Sequence, residues 1–276
     1  MTPTESGASV SEPAGASGSV SEPSLTAPGH PAPKSALADV IESLLVTILL
    51  ALFGTTFIVQ AFKIPSQSME PTLLVGDHLL VNKFVFEGRG AWYEKLLPYR
   101  AIRRGDVVVF RFPYDDHPHY VKRVIGLPGD RIRIAGGQVY INGDRLAEPY
   151  AVHDASAGDP FGNNFPPADP EFLGAALRPE WTQQIMRYVQ RGELVVPPDH
   201  YFVMGDNRDR SWDSRYWGFV DRQAMMGRPV LIYWSVAATS ADYTDRSLFG
   251  AVRGIEATLF HLPTGTRWNR MLREVH

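Results

Sequence analysis

A run of 20 residues without a charged side chain, Ser43 to Phe62, constrains this chain more than any other feature of its sequence. As a helix, a run of this length rises about 30 Å, which is the thickness of a bilayer's hydrocarbon core. A buried core helix of that length normally shows a polar face. A cleavable signal peptide has a shorter apolar region behind a basic start near the first residue. The run therefore predicts a single-pass transmembrane helix, which we place at 37–62.

The residues ahead of this run have the composition of a disordered tail. The first 34 are almost entirely Ser, Pro, Ala, Gly, Thr and Glu, and Ser9–Pro13 is repeated as Ser19–Pro23. Such a segment buries too little apolar surface to offset its ordering entropy. We predict a disordered tail over 1–36 and favour a solvated spacer over a docking segment. Lys34 is the only Lys or Arg before the apolar run, so positive charge does not orient the anchor.

Composition excludes several classes of protein. Lys and Arg number 27 against 30 Asp and Glu, a net charge of −3, whereas nucleic-acid binders normally carry a basic excess. The mean hydropathy of −0.15 argues against a polytopic membrane protein. The absence of cysteine excludes disulfides, thiolate metal ligands and a cysteine nucleophile.

The remainder of the chain alternates apolar and polar residues in the manner of β-strands. Its short β-branched and aromatic runs end at Gly and Pro turns, and a hairpin is predicted across Ala135-Gly136-Gly137. We predict a mainly antiparallel β domain over 63–276 with an inserted cap subdomain at about 143–198. Besides the hairpin strands Arg131–Ile134 and Gln138–Ile141, the predicted elements are strands at Val107–Phe112, Tyr120–Ile125, His200–Met204 and Pro229–Val236, and a helix at Pro179–Gln190.

Two serines stand between prolines directly after the apolar run, in Pro65-Ser66-Gln67-Ser68-Met69-Glu70-Pro71. The prolines stiffen the backbone and can hold a hydroxyl in one orientation, although a plain turn leading off a membrane helix has the same composition. A serine needs a base to become a nucleophile. His117 and His119 lie in what reads as a solvated turn, or less readily as a metal site.

Lys122 is the other candidate base, inside the strand segment Tyr120–Ile125. A lysine acts as a base only when neutral, so its pKa must fall well below about 10.4. Burial among apolar groups, with a cation such as Arg123 nearby, shifts the pKa in that direction. An exposed basic pair on a sheet face is the alternative, and spacing alone does not decide between them.

Four blocks of the sequence, in order, resemble the conserved boxes of type I signal peptidases, the bacterial leader peptidase family of membrane-bound Ser/Lys endopeptidases. With the apolar run, the resemblance covers roughly residues 40–236. The blocks are Pro65-Ser66-Gln67-Ser68-Met69-Glu70-Pro71-Thr72-Leu73, then Arg104-Gly105-Asp106-Val107-Val108-Val109-Phe110, then Lys122-Arg123-Val124-Ile125-Gly126-Leu127-Pro128-Gly129-Asp130, and last the segment from Gly205 to Gly218, which reads GDNRDRSWDSRYWG.

The resemblance implies a role for each matching residue. Ser68 matches the nucleophile and Lys122 the general base. Ser66 matches the hydroxyl that in some members completes an oxyanion hole with the backbone N–H of the nucleophile. Ser211 matches the serine that orients the lysine. Asp213, Arg215 and Arg123 match a structural set of salt bridges.

The resemblance also implies the substrate and the location of the protein. Exported preproteins, whose signal peptides end in small residues at an A-x-A-like site, are the expected substrates. The anchor lies in the lipid of the plasma membrane, with the N-terminus cytoplasmic and the catalytic domain extracytoplasmic. We expect neither metal nor other cofactor, and no nucleic acid as a partner.

Other readings remain open on the residues alone. In the first alternative, the chain is a different Ser/Lys protease, such as a relative of self-cleaving repressors. In the second, it is an envelope adaptor that keeps the fold without activity. The first reading lacks a helix-turn-helix signal, and the second gives Ser68 and Lys122 no use. The apolar residues between the anchor and Phe86 are either core strands, which we favour, or a membrane-contacting surface.

Overall fold

The structure, a computed structural model, describes residues 36–54, 59–86, 100–154, 163–169, 176–239 and 265–276. The chain divides into two compact units, Met1–Thr47 and Ile48–His276. All but the last residue of the predicted tail lies outside the described residues.

One long apolar helix, α1, spans Ala36–Phe53. Its mean hydropathy of 2.2 over 18 residues makes it long and apolar enough to cross a membrane. None of its residues is buried against the protein, so its leucines and isoleucines lie open along the whole helix.

The helix is shorter than the sequence predicts. The predicted span extends to Phe62, whereas α1 ends at Phe53 and strand β1 occupies Val59–Lys63. β1 pairs with β2, Asp77–Asn82, in antiparallel register from Val59 opposite Asn82 to Lys63 opposite His78. The backbone of 59–62 therefore finds its hydrogen bonds in a sheet, where the β-branched Val59 and aromatic Phe62 fit well.

The first sheet is antiparallel and carries eight strands in the order β1-β2-β12-β3-β4-β10-β11, with β13 also paired to β12. Long strands form its centre, and β12 joins β2 on one side to β3 on the other. The remaining members are β3 (Val107–Phe112), β4 (Asp115–Gly126), β10 (His200–Met204), β11 (Val220–Asp221), β12 (Met225–Ser235) and β13 (Arg273–Glu274).

The second sheet has five antiparallel strands in the order β7-β6-β5-β9-β8. β8 and β9 come from the segment predicted as an insertion, while β5 and β6 precede it. These strands are β5 (Arg131–Ala135), β6 (Gln138–Ile141), β7 (Asp144–Arg145), β8 (Val189–Gln190) and β9 (Glu193–Val195).

The predicted hairpin is present as β5 and β6. Ala135 lies opposite Gln138, and the two glycines between them have positive φ of 56° and 77°, which a glycine adopts without steric cost. The predicted helix appears as α2, Pro179–Tyr188, and a short helix α3 spans Ser214–Trp217. The mainly antiparallel β fold class is thus confirmed.

Two apolar clusters pack on the two faces of the first sheet. The larger lies between the two sheets and includes Ile132, Val139 and Leu194 from the second sheet with Val124 and Phe202 from the first. The smaller packs the other face of the first sheet and contains Ile64, Met69, Leu73, Leu79, Val81, Val107, Val109, Ile232 and Val275. Leu73 and Leu79, which we expected in core strands, are fully buried there, and Met69 carries the serine segment into the same cluster.

Candidate active site

Ser68 lies in a short turn between β1 and β2. Residues Gln67–Met69 form one turn of 3-10 helix, closed by the Glu70 N–H donating to the Gln67 carbonyl at 3.1 Å. The Met69 side chain is buried on one side of this turn, and the Leu73 N–H donates to its carbonyl at 2.9 Å. Because Met69 is fixed in the core, the neighbouring Ser68, only 7% exposed, has a fixed backbone.

Lys122 reaches Ser68 from the middle of β4. The strand pairs with β3, where Val108 lies opposite Lys122, and with β10 on its other side. The lysine side chain is 2% exposed, and its Nζ donates to Ser68 Oγ at 2.5 Å. The two residues stand 54 positions apart in the sequence and are brought into hydrogen-bonding contact by the fold.

Burial lowers the pKa of Lys122 from its ordinary 10.5 to about 8. The Asp213 and Asp206 carboxylates act in the opposite direction, and the Arg215 cation supports the lowering. We expected Arg123 to supply that positive charge. Arg215 does so instead, because the Arg123 guanidinium is turned toward Asp206.

The Ser66 hydroxyl stands beside the candidate nucleophile. Its Oγ lies 3.3 Å from Ser68 Oγ, and either hydroxyl can donate. Ser66 is exposed whereas Ser68 is buried, so the pair lies at the border between the protein interior and solvent.

Ser211 contacts the surroundings of the lysine. Its Oγ accepts from the Gly205 N–H at 3.1 Å, and its hydroxyl donates to the Asp213 carboxylate. Among the described residues, the hydrogen bond of Lys122 Nζ goes to Ser68, and none goes to Ser211. The lysine-orienting role of Ser211 stays a prediction.

Two buried ion pairs support this region. Arg215 binds both carboxylate oxygens of Asp213, with nitrogen–oxygen distances of 2.8 and 2.9 Å. Burial alone would raise the pKa of Asp213, but the Arg215 charge and hydrogen bonds outweigh it and hold that pKa below its ordinary value. Arg123 pairs separately with Asp206 at 2.8 and 2.7 Å. Asp213, Arg215 and Arg123 thus take part in two separate ion pairs.

The sequence reasoning missed three residues that adjoin this site. Asp206 is the partner of Arg123, and the Asn207 N–H donates to the Ser68 carbonyl at 3.1 Å. Gly205 packs so tightly that a Cβ there would lie less than 3.0 Å from Ser211 Oγ and from the Ser68 carbonyl oxygen. All three lie in the block GDNRDRSWDSRYWG, which was the available signal, but their partners are too distant in sequence to be read from it.

No group of three or more His, Cys, Asp or Glu side chains arranged to hold a metal occurs in the described parts of the chain. His119 packs its ring edge-on against Phe62 at 5.4 Å between centroids. The His117 side chain lies outside the described residues.

Comparison with known proteins gives consistent matches. The family model described as signal peptidase, peptidase S26, matches residues 37–234. The chain is 36% identical over 241 residues to signal peptidase I of Pseudomonas fluorescens, covering 79% of this chain and 80% of that one. It is 32% identical over 244 residues to signal peptidase I of Aquifex aeolicus, covering 78% and 91%. A solved signal peptidase I from Enterococcus faecalis V583 is 35% identical and covers 47% of this chain and 97% of that one, with a TM-score of 0.34.

Proposed function

The chain belongs to the signal peptidase family, peptidase S26, and is a peptidase that cleaves signal peptides; on that premise we propose that Ser68 is its nucleophile and Lys122 its general base. The observation that carries this proposal is the 2.5 Å hydrogen bond from Lys122 Nζ to Ser68 Oγ, formed inside the protein by a lysine whose pKa is lowered to about 8. With a pKa of about 8, the neutral lysine that a general base requires is present in about a tenth of the molecules at pH 7 and becomes the major form above pH 8.

The reaction follows from the positions of these two atoms. Neutral Lys122 takes the Ser68 proton as Oγ attacks the scissile carbonyl, and an acyl-enzyme forms when the protonated lysine gives that proton to the leaving amine. Water then attacks the acyl carbonyl and loses a proton to the same lysine. The ester bond to Ser68 Oγ breaks, the lysine returns that proton to Oγ, and the signal peptide leaves with a free carboxylate. Lys122 carries the proton in both acylation and deacylation, so the reaction needs no second acid or base.

The negative charge on the carbonyl oxygen needs fixed donors. We assign this role to the Ser68 backbone N–H and the Ser66 hydroxyl, which lies 3.3 Å from Ser68 Oγ. Such donors stabilise the tetrahedral intermediate more than the substrate, and the loss of one costs about 10²-fold or more in rate. An exposed hydroxyl beside a buried nucleophile is available to an entering substrate.

We assign Ser211, Asp213 and Arg215 to the support of the lysine. Arg215 offsets part of the effect of the Asp213 carboxylate, which raises the pKa of Lys122 and favours its protonated form. Ser211 lies between that ion pair and Gly205. Arg123 has a structural role through its pair with Asp206.

The substrates in this proposal are exported preproteins with small residues at the cleavage site. β1 is the end strand of the first sheet and leads into the serine turn, so an extended peptide can pair alongside it. Partly buried Phe62 and Val121 pack on the smaller apolar cluster, which contains Met69, the residue after Ser68, and so offer apolar surface to a substrate side chain.

We further propose that α1 anchors the chain in the plasma membrane, with the tail in the cytoplasm and residues 63–276 as the extracytoplasmic catalytic domain. The mean hydropathy of α1 and its exposed leucines and isoleucines support the anchor. The substrates support the orientation, since signal peptides are removed on the side to which proteins are exported.

The test is cleavage of a model preprotein by the full chain and its variants. Ser68→Ala and Lys122→Met should each lower kcat/KM by at least about 10³-fold, since each removes a member of one catalytic unit. Ser66→Ala should retain more activity than either. Lys83→Met, which removes another lysine, is the matched control and should cleave at the parent rate. Parent-like cleavage by either dyad variant would end the proposal.

A further inference from the structure

The loop that follows Ser68 is held by hydrogen bonds from the last described segment of the chain. Residues 70–77 connect the serine turn to β2, and the segment 265–275, which we name the clamp, lies against them. The clamp is tied to the first sheet through β13 on β12 and through Val275, which is buried in the smaller apolar cluster. This segment lies outside the four sequence blocks.

Arg270 makes the central contact of the clamp. It is 7% exposed and binds Asp77 through both carboxylate oxygens, at 3.2 Å from Nε and 2.6 Å from Nη2. The same Nη2 donates to the Thr72 carbonyl at 3.0 Å. One planar guanidinium thus joins the start and the end of the loop, which an ammonium group cannot do with this geometry.

Other contacts fix the same loop from the same side. Asp77 is fully buried and accepts from the Leu74 N–H at 2.9 Å, while Arg267 Nη1 donates to the Val75 carbonyl at 2.9 Å. Ser235, which lies opposite Asp77 where β12 pairs with β2, also donates its hydroxyl to the Asp77 carboxylate, at 2.6 Å, and that hydroxyl makes no hydrogen bond to a loop carbonyl. Two arginines of the clamp therefore hold loop carbonyls directly.

Hydrogen bonds connect Thr72 and its neighbour Leu73 to residues next to both Lys122 and Ser68. Thr72 Oγ1 donates to Asp206 at 2.6 Å, and Asp206 is the partner of Arg123, the residue after Lys122. On the other side, Leu73 N–H is bonded to the Met69 carbonyl, next to Ser68. A shift of Thr72 would therefore move the serine turn relative to Lys122.

We propose that Arg270 is a positioning residue for the nucleophile: by holding Thr72 and Asp77 together it fixes the loop that sets the distance from Ser68 Oγ to Lys122 Nζ. The inference rests on the assignment of Ser68 and Lys122 as the dyad. Arg270 takes no part in proton transfer, so it acts on the rate of the chemical step and leaves the lysine pKa unchanged. A displacement of the order of 1 Å in a reacting group can cost up to about 10²-fold in rate.

The test compares Arg270→Ala and Arg270→Lys with Ser235→Ala in the full chain. We expect both Arg270 variants to lower kcat by about tenfold or more with KM within about twofold, and to keep the acidic midpoint of the pH–rate profile. Ser235→Ala loses a hydrogen bond to the same carboxylate and touches no loop carbonyl, so it should lower the melting temperature but keep kcat. All rates are measured well below the lowest melting temperature.

Two results would overturn the proposal. One is a folded Arg270 variant with the parent kcat; Arg270→Lys serves here if Arg270→Ala, which leaves Asp77 buried without its cation, does not fold. The other is a loss of kcat in Ser235→Ala that matches the Arg270 variants at equal loss of melting temperature, which would make the effect one of stability alone. Failure of the dyad itself is recognised separately, by full activity of Ser68→Ala.

Discussion

At Lys122, burial and charge act on the pKa in opposite directions. Burial lowers it, the Asp213 and Asp206 carboxylates raise it, and Arg215 offsets part of their effect. The result, a pKa of about 8, leaves the neutral form accessible near neutral pH. The lysine is therefore suited to its proposed role as a base, because burial and Arg215 lower its pKa by more than Asp213 and Asp206 raise it.

The pH dependence of activity follows from this pKa. Because the neutral lysine is the active form, kcat/KM should rise with pH through a midpoint near 8 and fall as the lysine is protonated below it. Asp213→Asn removes a charge that raises the pKa, so its midpoint should move to lower pH. A flat acidic limb measured on a model preprotein would contradict the neutral-lysine base.

Gly205 gives a steric prediction at the same scale. In Gly205→Ala the new Cβ would meet Ser211 Oγ and the Ser68 carbonyl, so cleavage should fall by about 10²-fold or more as the serine turn is displaced. Gly105→Ala is the comparison: its Cβ meets no atom within 4 Å, and its φ of 89° lies in the left-handed region, where an alanine costs about 1–2 kcal/mol of stability. Equal activity of the two variants would rule out the close packing at Gly205.

Residue identities were easier to predict than residue partners. The four blocks named Ser68 and Lys122 as candidates, but the pairing of Arg123 with Asp206 joins positions 83 apart, and that of Arg270 with Asp77 joins positions 193 apart. No local pattern encodes such contacts. For the same reason the sequence assigned Arg123 the effect on Lys122 that Arg215 exerts.

At the level of elements, local alternation of apolar and polar residues predicted several strands closely. The hairpin of β5 and β6 and the strands β3 and β10 appear at or within a residue of the expected bounds. The apolar run was harder, because its last residues form β1 by pairing with β2, a partner about 20 positions downstream. Hydropathy alone does not distinguish an apolar strand from the end of an apolar helix.

The proposed anchor makes an element-scale prediction. Replacing Leu45 and Leu49 with Arg places two charges in the middle of α1, at about 2.5–3.5 kcal/mol each for membrane insertion. The variant should leave the membrane fraction on carbonate extraction, whereas the parent should remain. Glu42→Lys changes a charge near the start of α1 and serves as the control. Retention of the double variant in the membrane would show that α1 is not the anchor.

On the scale of the whole molecule, the absence of cysteine makes the proposed orientation measurable. A single cysteine at Ser24 marks the tail, and one at the half-exposed Glu180 marks the catalytic domain. A membrane-impermeant maleimide applied to right-side-out vesicles should label Glu180→Cys, and should label Ser24→Cys only after detergent. The reverse pattern would invert the orientation.

The fold class and the family could be predicted from the sequence, whereas the arrangement of strands into two sheets could not. The β fold and the family follow from patterns and blocks that lie along the chain. The second sheet draws β5 and β6 together with β8 and β9, so it extends beyond the segment 143–198 that we predicted as the insertion. Which strands share a sheet depends on pairing between distant segments, and that information is not local.

The most direct test of the central assignment is intact-mass spectrometry of a model preprotein incubated with the full chain and, in parallel, with Ser68→Ala. The account predicts one cut, directly after an A-x-A-like site, with the parent, loss of that cut when the alanines are replaced by bulky residues, and an intact preprotein with Ser68→Ala. The same cut made by Ser68→Ala would contradict it.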